Sequence, residues 1–198
     1  MFNELVFTQE VPTKADAYAG GGVYLPSDVV WPHSTDGQPL THLISFPGSW
    51  FADALMNEDY WISIFIPYLP GEVVHYRKLR ALNGVSEAVV IGYVRSSEER
   101  IGASNNLLDC GRVLLSSNPD SDDDENLASK LDGIDAWLQP SMSSNIGRRR
   151  LSIYGGDIDI SLPNNKGILS DGMGYLFLDD NFSDKKGTGC GAFFLQLG

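Results

Sequence analysis

The amino-acid sequence predicts a β-rich α+β fold, antiparallel sheets with a few short helices. Three observations carry that expectation. Apolar residues come in short runs rich in β-branched and aromatic side chains, the composition that a pleated, half-buried surface favours. Clusters of Gly, Pro, Asn, Asp and Ser separate most of those runs. Helix-like signals surface in only two places.

In chain order, the strand-like runs are residues 23–25, 41–46, 61–67, 73–76, 88–94, 112–115, 136–139, 151–154, 158–162, 174–178 and 192–197. Three of them approach the same punctuation: Leu25-Pro26-Ser27, Leu69-Pro70-Gly71 and Leu162-Pro163-Asn164. Proline donates nothing to a ladder, so each triplet stops a strand, and the recurrence suggests internal duplication of a strand unit. Gly155-Gly156-Asp157 reads as a tight turn between two strands. The first helix is expected over 50–57, capped by Ser49. The second is expected over about 124–131, where Asp122, Asp123, Asp124 and Glu125 complement the positive helix end and Gly133 stops it.

A chain of 198 residues fits one domain spanning 1–198. At 42% hydrophobic and 20% charged, its composition is globular. Lys and Arg number 14 against 26 Asp and Glu, a net charge of −12. The first hundred residues carry 6 basic and 12 acidic side chains and the rest 8 and 14, so each half is −6. That balance argues against nucleic-acid or anionic-membrane partners, which need clustered cations. It favours a basic protein partner. The N-terminus lacks a basic segment followed by an apolar run, and the most apolar stretch, 61–69, falls short of the roughly 20 residues a spanning helix needs. The expected location is cytoplasmic. Cys110 and Cys190 lack CxxC spacing and are expected as free thiols, with a disulfide between them left to the structure.

Chemistry-bearing motifs are sparse. Gly20-Gly21-Gly22 leads into a strand rather than a helix N-terminus, so it is read as a flexible lead-in or a close backbone contact, not a phosphate cradle. His33 and His42 are too few to hold a metal, and no Gly-x-Ser-x-Gly occurs. No catalytic residue, metal or cofactor is expected. Trp31, His33, Asp36 and His42 would form the pocket of a small-ligand binder or enzyme of unknown chemistry, if they converge. The acidic run Asp120, Asp122, Asp123, Asp124 and Glu125 fails the calcium-loop pattern, because Glu125 stands where Gly is needed and Leu131 where Glu is needed. It is the first candidate for binding a basic partner, and Asp179, Asp180 and Asp184 are the second. Arg148-Arg149-Arg150 either binds an anion or pairs with neighbouring carboxylates.

A set of ordered blocks is more specific. Gly21-Gly22-Val23-Tyr24-Leu25-Pro26 leads to Trp31-Pro32 and then Asp36-Gly37-Gln38-Pro39-Leu40-Thr41-His42-Leu43-Ile44. Later come Lys130-Leu131-Asp132-Gly133-Ile134-Asp135-Ala136-Trp137-Leu138-Gln139, Asp171-Gly172-Met173-Gly174-Tyr175-Leu176-Phe177 and Phe193-Phe194-Leu195-Gln196. From residue 20 to the C-terminus the chain resembles the YwqG-like family of uncharacterised bacterial proteins, as a divergent member. Ser45 stands where that family has a Gln, Asp132-Gly133 where it has Gly-Gly, and Asp135 where it has Pro. The resemblance implies a β-rich α+β fold and assigns no catalytic residue. It also implies an association with effector–immunity gene sets. The expected function is therefore a non-enzymatic protein-interaction module, of immunity-inhibitor type, that neutralises a basic toxin or effector.

Overall fold

The computed structural model describes residues 1–51, 59–72, 75–80, 85–102, 107–142 and 144–198. Its strands are β1 (Phe2–Phe7), β2 (Ala17–Gly20), β3 (Thr41–Pro47), β4 (Tyr60–Ile66), β5 (Val89–Val94), β6 (Cys110–Asn118), β7 (Lys130–Leu131), β8 (Arg148–Tyr154), β9 (Met173–Leu178), β10 (Gly187–Thr188) and β11 (Gly191–Gln196). The helices are α1 (His75–Leu79) and α2 (Gly155–Ser161). All these strands join one antiparallel sheet in the order β10-β5-β4-β3-β2-β6-β1-β7-β8-β9-β11, so the fold is β-rich α+β.

β10 and β11 form opposite edges of that sheet, yet only Gly189 and Cys190 separate them in the chain. Three residue steps reach at most about 11 Å. The edges must therefore approach each other, and the sheet rolls up. Contacts at the seam agree: the Cys190 Sγ lies 3.7 Å from the Val90 carbonyl of β5.

Rolling creates an inside shared by the whole sheet. Leu5, Ile44, Ile62, Ile64, Val90, Leu151, Leu176, Phe193 and Leu195 belong to one buried cluster, with Ile158 and Leu162 from the α2 region. The outer face is covered in two places. Residues 23–40 fold over Tyr18, Trp61, Phe65, Ile91 and Tyr93. Leu127, Trp137, Leu138 and Met142 cover Met173, Tyr175, Phe177 and Phe194. This double cover explains why β4 reads Tyr-Trp-Ile-Ser-Ile-Phe-Ile without polar alternation: both its faces are buried.

Several local expectations are corrected. Residues 158–162 are not a strand, and Gly155-Gly156-Asp157 is not a turn; together they build α2. Ile158 and Leu162 stand one helical turn apart and are both buried, and Asp157 sits in the first turn, where an acid is favoured. No helix forms over 124–131. Side chains there take the backbone donors instead: Asp123 accepts the Glu125 N–H and Asn126 accepts the Ala128 N–H, which competes with helix formation. Residues 23–25 make only an isolated bridge, Val23 to Arg100. Residues 136–139 are irregular, and Trp137 packs on Tyr175 with ring centroids 4.5 Å apart. The strand expected at 73–76 falls partly on residues 73–74, outside the described residues, and continues as α1. The helix expected over 50–57 lies mostly outside them too, after a 3-10 turn at Gly48–Trp50. The three Leu-Pro triplets follow a bridge, the end of β4 and the end of α2, so they mark no common strand unit.

β7 holds the most buried ion pair. Lys130 is fully buried, and its ammonium meets the Asp122 carboxylate at 2.5 Å. Asp122 also accepts the Ile134 N–H at 2.6 Å and the Asn126 side-chain amide at 3.0 Å. Burial pushes the Asp122 carboxyl up, but the hydrogen bonds from Lys130, Ile134 and Asn126 outweigh it and hold the group below its ordinary value. Asp122→Asn would leave a buried, unpaired ammonium, and urea unfolding at pH 7 is expected to show a loss of about 3–5 kcal/mol. A carboxyl lowered by folding contributes stability above its unfolded pKa of about 3.9 and loses it as the pH falls through the folded value. The wild type should show that acid loss and the variant should lack it. Equal stabilities at pH 7 would mean that Lys130 gains nothing from Asp122.

Candidate functional site

The strand registers determine which loops share an end of the sheet. Asn118 of β6 lies opposite Phe2, Asn3 opposite Leu131, Leu131 opposite Leu151, and Arg148 opposite Leu178. The loops after β6 and after β9 therefore leave from the same end. The first carries Asp120, Asp123, Asp124 and Glu125, all exposed. The second carries Asp180 and Asp184, also exposed. Among the described residues none of these six forms an ion pair. Two of the eight sequence candidates do not present a free charge. Asp122 is committed to Lys130, and Asp179 pairs with Lys185 at 2.8 Å. Hydrogen bonds from Lys185 and from the Asn181 N–H hold the Asp179 carboxyl below its ordinary value.

The same end holds two carboxylates that sequence reasoning missed. Asp132 and Asp135 keep about half their side-chain surface exposed, while their partners Arg150 and Arg149 are buried. Arg150 Nε reaches Asp132 at 2.7 Å, and Arg149 Nη2 donates to the carbonyls of Asp132 and Gly133. Arg149 and Arg150 thus pair with neighbouring carboxylates rather than present a basic patch. Their triplet was the available signal, but which acids it meets depends on the pairing of β7 with β8.

The alternative pocket residues do not come together. Trp31 is buried, donating its indole N–H to the Leu40 carbonyl at 2.9 Å and meeting Phe65 edge-on. His33 is exposed on a turn with Nδ1 2.8 Å from the Trp31 carbonyl. Asp36 is exposed, bonded to the Ser34 hydroxyl and 3.7 Å from the Lys78 ammonium. His42 lies inside, fully buried. Two of the four face solvent and two are packed in the core, so they line no common cavity.

His42 instead begins a buried polar chain across four adjacent strands. Its Nδ1 lies 3.1 Å from the Gly20 carbonyl and 3.3 Å from that of Gly21. Carbonyls only accept, so Nδ1 carries the proton and Nε2 accepts from the Ser45 hydroxyl at 2.7 Å. Ser45 meets Ser63 at 2.6 Å, and Ser63 meets Tyr93 at 2.7 Å. The contact has the outline of a base and a nucleophile, but all four side chains are at most 1% exposed. No substrate reaches them, and the chain serves to tie β2, β3, β4 and β5 together. Gly20 and Gly21 adopt positive φ to aim their carbonyls at His42, and a Cβ on Gly20 would sit 2.1 Å from the Asp109 carbonyl oxygen. The glycine run thus makes a close backbone contact. The Tyr18 hydroxyl, buried nearby, has no hydrogen-bond partner among the described residues.

Cys110 and Cys190 are free thiols. Burial raises both, Cys110 to about 11 and Cys190 to about 12, so neither is a reactive thiolate at neutral pH. Among the described residues no group of three or more His, Cys, Asp or Glu side chains could hold a metal ion, and no helix is long and apolar enough to cross a membrane. No family model matches the chain, and no curated protein matches it.

Burial lowers His42 to about 4. A histidine held neutral by folding binds fewer protons than its unfolded counterpart, so stability is lost as the pH falls from about 6.5 towards 4, by roughly 3 kcal/mol in all. Imidazole NMR signals of His42 should stay in the Nδ1-protonated neutral form from pH 8 to 5. An imidazole titrating near 6.5 would mean that the chain is open to water.

Proposed function

We propose that this chain is a non-enzymatic protein-interaction module, a divergent YwqG-like domain of immunity-inhibitor type that neutralises a basic toxin or effector in the cytoplasm. One observation carries the proposal: two loops at the same end of the sheet present six exposed carboxylates without ion-pair partners among the described residues. Unpaired surface acids steer a basic partner into encounter and set the register of docking more than they supply affinity. A rigid sheet behind them limits the ordering cost of binding. Asp132 and Asp135, anchored by buried arginines, extend the acidic surface with carboxylates of fixed position. The free thiols Cys110 and Cys190 support the reducing compartment.

The test is affinity capture from the native host, followed by binding kinetics with the captured protein. A basic protein should bind the wild type and elute as salt rises. Replacing Asp120, Asp123 and Asp124 by Asn together with Glu125 by Gln should slow association at least about tenfold at low salt. Removing the same number of charges at Glu10, Glu72, Glu98 and Glu99 should change association far less. A captured partner that is acidic, or one indifferent to the loop variant, would contradict the proposal.

A further inference from the structure

A second site lies beside the outer face of β4 and β5. Lys14, Pro47, Trp50, Trp61, Arg95 and Ser96 help to line a surface cleft of about 840 Å³. Its cations stand out in a chain of net charge −12. The Arg95 guanidinium is held between two aromatic faces, 4.0 Å from the Trp61 ring centroid and 4.4 Å from that of Tyr24. Stacking uses the faces of the guanidinium and leaves its in-plane donors for other partners. Here one of those donors goes unused: among the described residues Arg95 forms no ion pair, and its buried Nη2 has no hydrogen-bond partner. Arg100 and Arg150, by contrast, donate to carbonyls or carboxylates. Lys14 also lies over Tyr24, its ammonium 5.4 Å from the ring centroid and 3.1 Å from the Ser97 carbonyl.

A stacked arginine with a spare donor, a second cation and two tryptophans on the wall form a preorganised anion subsite beside an apolar surface. Asp59 lines the same cleft, and the surrounding field is negative, so a singly charged anion fits better than a phosphate dianion. We propose that this cleft binds a carboxylate carried on an apolar or aromatic body, either a free aromatic acid or the C-terminal carboxylate of a peptide. The site is independent of the acidic loops and does not rest on the proposed partner.

The test is titration of the full chain with 3-phenylpropionate and with the peptide Ala-Ala-Phe, each as acid and as amide, followed by tryptophan fluorescence. At least one acid should bind saturably at millimolar concentration or below, and its amide at least about tenfold more weakly. Tighter binding of the free acid would identify a small-molecule ligand, and tighter binding of the peptide a chain terminus. Arg95→Gln should weaken binding at least about tenfold and Lys14→Gln a few-fold. Lys14 is exposed, so its variant keeps the test valid if Arg95→Gln unfolds. No saturable binding of either acid up to about 10 mM, equal affinity for acid and amide, or unchanged binding by the folded variants would overturn the proposal.

Discussion

The two-residue link between β10 and β11 constrains the rest of this molecule. Strands at opposite edges of one sheet are joined by Gly189 and Cys190 alone, so the sheet has to curl until its edges meet. Curling encloses one face, and the apolar side chains of nearly every strand then share one interior. The other face would remain wet unless loops covered it, which is what residues 23–40 and 126–142 do. Where both faces are buried, a polar side chain on a strand must find its partner inside the protein.

That requirement organises the polar chemistry. On one half, His42, Ser45, Ser63 and Tyr93 satisfy one another along a line of single hydrogen bonds and stay neutral. On the other half the solution is ionic. Lys130, Arg149 and Arg150 are buried cations, and each draws in a carboxylate: Asp122, Asp135 and Asp132. Part of the negative charge of the sequence is thus structural. The remainder at this end of the sheet, on Asp120, Asp123, Asp124, Glu125, Asp180 and Asp184, has no ion-pair partner among the described residues and faces solvent.

Legibility in the sequence followed the locality of the signal. Residues 41–46, 61–67, 88–94, 151–154, 174–178 and 192–197 were readable as strands because β-branched and aromatic residues sit next to one another there. β1 was not, since Asn3 and Glu4 interrupt its apolar residues, and β2 was not, since Ala-Tyr-Ala-Gly carries little strand propensity. Residues 158–162 of the α2 region read as a strand because Ile158, Ile160 and Leu162 alternate, although burial follows the helical spacing. The acidic run was visible, but the diversion of Asp122 to Lys130 was not, because it depends on the chain turning back at β7. The His42 chain and the Arg95 cleft draw residues from segments far apart in sequence, which only register brings together.

One interior, closed at the β10–β11 seam, holds both halves of the sheet and so fixes the acidic loops relative to each other. Native-state hydrogen exchange across a series of low denaturant concentrations tests it most directly. The inner strands β4 and β5 of one half and β8 and β9 of the other should open together, with a common free energy equal to that of global unfolding. Two groups of amides, one per half, opening at clearly different free energies would contradict a shared interior.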